Sequence, residues 1–87
     1  MRYKVELRPK ATKFLNSIQK ADKEKIEKKL EELSLNPRNE HVIKLSGMSP
    51  DQYRARQGDY KILFTIEDEK LIVEVIDIKN RQDAYKK

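Results

Sequence analysis

Tyr53-Arg54-Ala55-Arg56-Gln57-Gly58-Asp59-Tyr60-Lys61-Ile62-Leu63-Phe64 decides the fold. Gly58-Asp59 separates two alternating runs, and a glycine first in a two-residue loop favours a type II′ hairpin turn. Such a turn sets Gln57 opposite Tyr60, Arg56 opposite Lys61, Ala55 opposite Ile62 and Arg54 opposite Leu63. Successive side chains point to opposite sides of a strand. Tyr53, Ala55, Tyr60, Ile62, Phe64 and Ile66 therefore share an apolar face, and Arg54, Arg56 and Lys61 share the other.

Working outward, Leu71 to Ile78 reads as the next strand. Pairing it through Ile66 and Leu71 continues the apolar face to Val73 and Val75 and puts Ile72, Glu74 and Ile76 on the basic face. Its end near Ile78 returns beside the Gly58 turn. Upstream, Val42 to Leu45 is a short strand, followed by a loop at Ser46-Gly47-Met48-Ser49-Pro50. Tyr3, Val5 and Leu7 alternate with polar residues and predict a half-buried first strand. Pro9 suits the first turn of a helix. Ala11, Phe14, Leu15 and Ile18 then form one stripe on a helix over about residues 10–20. Asp22 is the expected N-cap of a second helix with Ile26, Leu30 and Leu33 on its inner side. That helix ends before Asn36-Pro37. The predicted fold class is α+β: an N-terminal strand, an antiparallel helical hairpin, then a three- to four-stranded antiparallel meander whose apolar face receives the helices.

At 87 residues the chain is long enough for one domain, 1–87, and no more. It has no cysteine, which excludes a disulfide scaffold and a Cys-ligated zinc module. The start of the chain lacks the apolar core of a signal peptide, and no apolar run approaches a membrane span, so the expected setting is cytoplasmic. Charged residues make up 40% of the chain, with 20 basic against 15 acidic. The surplus of +5 suits nucleic acid as a partner without requiring it.

The placement of the charge says more than its sum. Like charges directly opposite on a sheet repel. Arg54, Arg56 and Lys61 crowd one face, and Arg81 follows the last strand to the same edge. A solvated sheet face partly neutralised by Glu74 is one explanation; an anion site shaped for phosphate is the other. Arginine presents a planar fork that matches phosphate oxygens, and lysine adds a point charge. Tyr85 could stack on a base or anchor the C-terminus.

The quoted string resembles the Y-R-x-R-x-G-D-Y-R core of the RelE/ParE toxin superfamily. Lys44-Leu45-Ser46-Gly47 is similar to its K-L-x-G segment, and Val75 to Tyr85 to its final strand and C-terminal Arg and Tyr. The three segments stand in order over nearly the whole chain. The resemblance implies a toxin of a toxin–antitoxin pair. RelE-like members cleave mRNA in the ribosomal A site; ParE-like members poison DNA gyrase without cutting RNA. The implied partners are a separate antitoxin chain, the ribosome and mRNA, with operator DNA reached through the antitoxin; no membrane is implied. A decayed toxin that only binds antitoxin is a third option.

Carried over residue by residue, the catalytic set is Arg54, Arg56, Lys61, Arg81 and Tyr85. Lys61 replaces the family's usual Arg, and Lys79-Asn80 replaces its usual Gly-His. The implied reaction is attack of an RNA 2′-OH on the adjacent phosphate, with no cofactor or metal expected. Arginine is a poor proton acceptor, so Lys61 is the better candidate, with a ribosomal RNA group or water also able to serve. His41, the only histidine, reads as an ordinary loop or strand-edge residue.

Overall fold

The computed structural model describes residues 2–80. Along the chain they form β1 (Lys4–Leu7), α1 (Pro9–Ser17), α2 (Lys20–Leu35), β2 (Ile43–Leu45), β3 (Gln52–Gln57), β4 (Tyr60–Glu67) and β5 (Ile72–Asn80). The five strands make one sheet in the order β1-β5-β4-β3-β2. Strands β2 to β5 are an antiparallel meander, while β1 runs parallel to β5, with Val5 beside Val73 and Leu7 beside Val75. The α+β architecture is the one predicted. Among the described residues no helix is long and apolar enough to cross a membrane.

Both helices pack on one face. Ala11 and Leu15 of α1 and Ile26, Leu30 and Leu33 of α2 bury against Tyr53, Ala55, Ile62, Phe64, Val73, Val75 and Ile78 of the sheet. Pro9 opens α1 as expected. The helix stops at Ser17, earlier than its apolar stripe suggests. The Ser17 hydroxyl donates to the Phe14 carbonyl at 2.7 Å, a bond that competes with the helical ladder. Ile18 and Gln19 are extended, so the reversal uses these two residues. Asp22 is consequently inside the first turn of α2, not its cap. Its carboxylate still faces the positive end of the helix and accepts the Tyr60 hydroxyl at 3.0 Å, tying α2 to β4.

The β3–β4 register is the predicted one at every position. Gly58 takes φ +60° while Asp59 stays out of the positive-φ region, the pattern of a type II′ turn. The β4–β5 register differs from the expectation by two residues: Ile66 lies opposite Val73, not Leu71. Leu71 belongs to the connection, with φ +55° and its N–H bonded to the Asp68 carbonyl at 3.2 Å. A two-residue slip preserves the faces, so Val73 and Val75 are buried as expected.

Further along, the strands fall out of step. Phe64 is opposite Val75, but Leu63 is opposite Asp77, leaving Ile76 as an extra residue on β5. This β-bulge breaks the alternation. Asp77 and Ile78 are consecutive and both buried, at 7% and 1% exposure. Lys10 of α1 reaches Asp77 at 3.3 Å.

The β4–β5 connection is also fastened to the segment after α2. Arg38 grips Asp68 with two bonds of 2.9 and 2.8 Å, and the Tyr3 hydroxyl donates to Asp68 at 2.7 Å. The Arg38 guanidinium lies 5.6 Å from the Tyr53 ring centroid, a cation–π contact. The Arg38 bonds, then the Tyr3 bond, lower the Asp68 carboxyl to about 2. An unfolded aspartate titrates near about 3.9. The link therefore contributes fully above that value and is lost as the pH falls towards the folded one. Melting temperature is expected to drop more steeply for the wild type than for Asp68→Asn between about pH 4 and about pH 2. Parallel curves would refute the link.

Candidate nucleic-acid interface

The face of the sheet turned away from the helices carries the cations. Cross-strand partners share a face. Arg56 is opposite Lys61 on β4, and Lys61 is in turn opposite Lys79 on β5. Three cations thus stand in one row across three strands. Arg54 is the next outward-facing residue on β3, opposite Leu63.

Lys79 joins this row because of the bulge. Unbroken alternation from Val73 and Val75 would carry it to the helix side; the extra residue at Ile76 reverses that, so Ile78 enters the core and Lys79 faces out. One sequence signal was available: the buried positions Val73, Val75 and Ile78 are spaced by two and then by three. Apolar Ile76 masked it.

Among the described residues the row is not neutralised. Glu74, a possible counter-charge, is held by Arg8 at 3.3 Å beside β1. Asp77 is taken by Lys10 and Asp51 by Lys44. Among the described residues no ion pair includes Arg54, Arg56, Lys61 or Lys79. Arg54 Nε is, among the described residues, a buried donor with no hydrogen-bond partner. An unmet buried donor costs about 1–3 kcal/mol, more when it is charged.

The β2 side of the face adds a groove of about 350 Å³, lined by Lys29, His41, Ile43, Arg54 and Arg56. Ile43 lies opposite Arg54. Two residues earlier along the same antiparallel course, His41 comes alongside Arg56. Sequence reasoning set His41 aside as an ordinary edge residue; the structure puts it in the arginine groove. The β2–β3 register that brings it there passes through a loop with no hairpin signature. Lys29 reaches the groove from α2, and its charge is shared with Glu32 at 3.2 Å.

Of the five predicted site residues, Arg54, Arg56 and Lys61 are gathered on one face. Arg81 and Tyr85 lie outside the described residues. The last described residue, Asn80, sits opposite Tyr60 beside the Gly58 turn, as the sequence predicted for the end of that strand.

Comparison with known proteins agrees with this architecture. The family described as the ParE toxin of the type II toxin–antitoxin system parDE matches residues 5–85. A protein of Methanocaldococcus jannaschii carrying the toxin name RelE4 is 29% identical, over 98% of this chain and 93% of its own length. The archaeal RelE of the RelE–RelB complex from Pyrococcus horikoshii superposes with a TM-score of 0.79 at 30% identity, covering 93% of this chain and 97% of that one. The intact E. coli RelBE toxin–antitoxin complex contains a chain with a TM-score of 0.76 at 32% identity, covering 90% of this chain and 95% of that one. With sheet order, helix placement and family match in accord, the chain belongs to the ParE toxin family, within the RelE/ParE superfamily of type II toxin–antitoxin toxins.

Proposed function

We propose that this toxin stops translation by cutting mRNA in the ribosomal A site. The observation that carries the proposal is the uncompensated cationic face: Arg54, Arg56 and Lys61 converge with no ion-pair partner among the described residues. In the reaction the 2′-oxygen of one nucleotide bonds to the adjacent phosphorus. The bond from phosphorus to the next 5′-oxygen breaks, leaving a cyclic phosphate and a 5′-OH fragment. The 2′-OH gives up one proton and the departing 5′-oxygen receives one. Arg54 and Arg56 hold the charge that builds on the phosphate oxygens, and Lys61 is the candidate proton carrier. Arg81 and Tyr85, which lie outside the described residues, complete the proposed set by contacting the reacting nucleotide. The site uses no metal or cofactor in this scheme.

The regulator we propose is a separate antitoxin chain. The relatives from P. horikoshii and E. coli are in complex with RelB. Between α1 and the end of β5 lies a groove of about 530 Å³, lined by Phe14 and Ile78 together with Lys10, Lys13, Asp77 and Lys79. An amphipathic segment with acidic flanks fits it. Inhibition of DNA gyrase is the second reading, favoured by the match to a family named for ParE.

Primer extension on mRNA in ribosomes with an empty A site separates the two. Cleavage is expected only when ribosomes are present. Arg54→Ala, Arg81→Ala and Tyr85→Ala should each slow it by about 100-fold or more. Absence of cleavage together with loss of gyrase supercoiling would overturn the nuclease proposal in favour of the second.

A further inference from the structure

We infer that Lys79 is a phosphate-binding residue, extending the proposed site from the reacting phosphate to a neighbouring one on the same single-stranded RNA. This rests on the RNA reading of the face and adds a residue that the reading did not include.

The argument begins with the bulge. Without Ile76 as an extra residue, Lys79 would face the helices. With it, Lys79 stands directly opposite Lys61, which itself stands opposite Arg56. Two successive like-charge pairs oppose folding, and among the described residues no ion pair relieves them. Lys79 is exposed, so its ammonium fills no packing need. A polyanion is the ligand that turns this repulsion into attraction.

The spacing suits a nucleic-acid strand. Neighbouring strands of a sheet lie about 4.8 Å apart, so Arg56 to Lys79 spans about 10 Å, and the flexible lysine stems adjust that reach. An RNA strand crossing the sheet at right angles meets one cation on each of β3, β4 and β5. The two kinds of cation divide the work. Arg54 and Arg56 present forks where orientation at phosphorus matters, and Lys79 supplies a point charge where a phosphate is merely held.

The test is the salt dependence of binding by the full-length toxin. The probe is a fluorescein-labelled single-stranded oligoribonucleotide with 2′-O-methyl sugars, which cannot be cleaved by 2′-OH attack. Each lost phosphate contact lowers the slope of log K against log salt by about 0.7 for single strands. Lys79→Gln is expected to lose about that much and to bind several-fold more weakly at low salt. Lys79→Arg should keep the wild-type slope. Lys28→Gln, at an exposed position of α2, controls for net charge and should also keep it. An unchanged slope for Lys79→Gln beside a reduced slope for Lys61→Gln overturns the second phosphate contact and leaves the nuclease proposal standing. Unchanged slopes for both overturn the inference together with the reading of this face as an RNA site.

Discussion

Arg56→Gln is expected to make the protein more stable and, at the same time, at least about 100-fold slower in mRNA cleavage. The two effects share one cause. Arg56 is opposite Lys61, and Lys61 is also opposite Lys79. Removing the guanidinium deletes one like-charge pair, which costs a few tenths to about 1 kcal/mol in the folded protein. For a domain of this size about 1 kcal/mol moves Tm by about 4–8 °C, so a rise of up to several degrees is expected. Glutamine keeps much of the stem and its packing, but it cannot neutralise charge developing at phosphorus. Thermal melting and primer extension on the same preparation check both halves. A variant that melts lower and cuts slower would mean that Arg56 is structural, and would remove the case for strain held on this face.

The second large effect is on the fold itself. Phe64→Ala is expected to cost about 3–5 kcal/mol. The ring is fully buried, stacks on Tyr53 with centroids 5.8 Å apart, and sits opposite Val75 at the edge of the bulge. A chain of 87 residues has about 4–13 kcal/mol of stability in all, so this one change removes a large share of it. Urea unfolding measures the loss. Phe64→Leu, which conserves more volume, should lose far less. Equal losses would show that the cavity does not set the cost.

What could be read in advance follows from how local each determinant is. The β3–β4 hairpin was legible to the residue because Gly58-Asp59 sets its turn and register locally, and the arginine face came with it. The helices were legible from their stripes, but their junction was not: Asp22 resembles a cap, and only the extended Ile18 and Gln19 show that the helix starts earlier. The β4–β5 register escaped because it is set by distant groups, with Tyr3 and Arg38 meeting on Asp68. Lys79 and His41 escaped for the same kind of reason. One depends on a bulge that Ile76 hides, the other on a pairing across an unpatterned loop. Glu74, one counter-charge the sequence offered for the arginine face, is held instead by Arg8 at the end of the neighbouring β1.

The parallel pairing of β1 with β5 bears on how the chain is made. Lys4 lies beside Ile72, and Leu7 beside Val75, so nearly the whole length of the molecule separates partners in contact. Contacts of such high sequence separation form late, because a long loop must close before they repay its entropy. During synthesis the first strand can rest on the helices, but it has no strand to pair with until β5 has been made. The cationic row is likewise incomplete until β5 supplies Lys79. A growing chain therefore carries helices and a hairpin long before it carries a finished sheet. Its cationic face becomes whole only once β5 has been made.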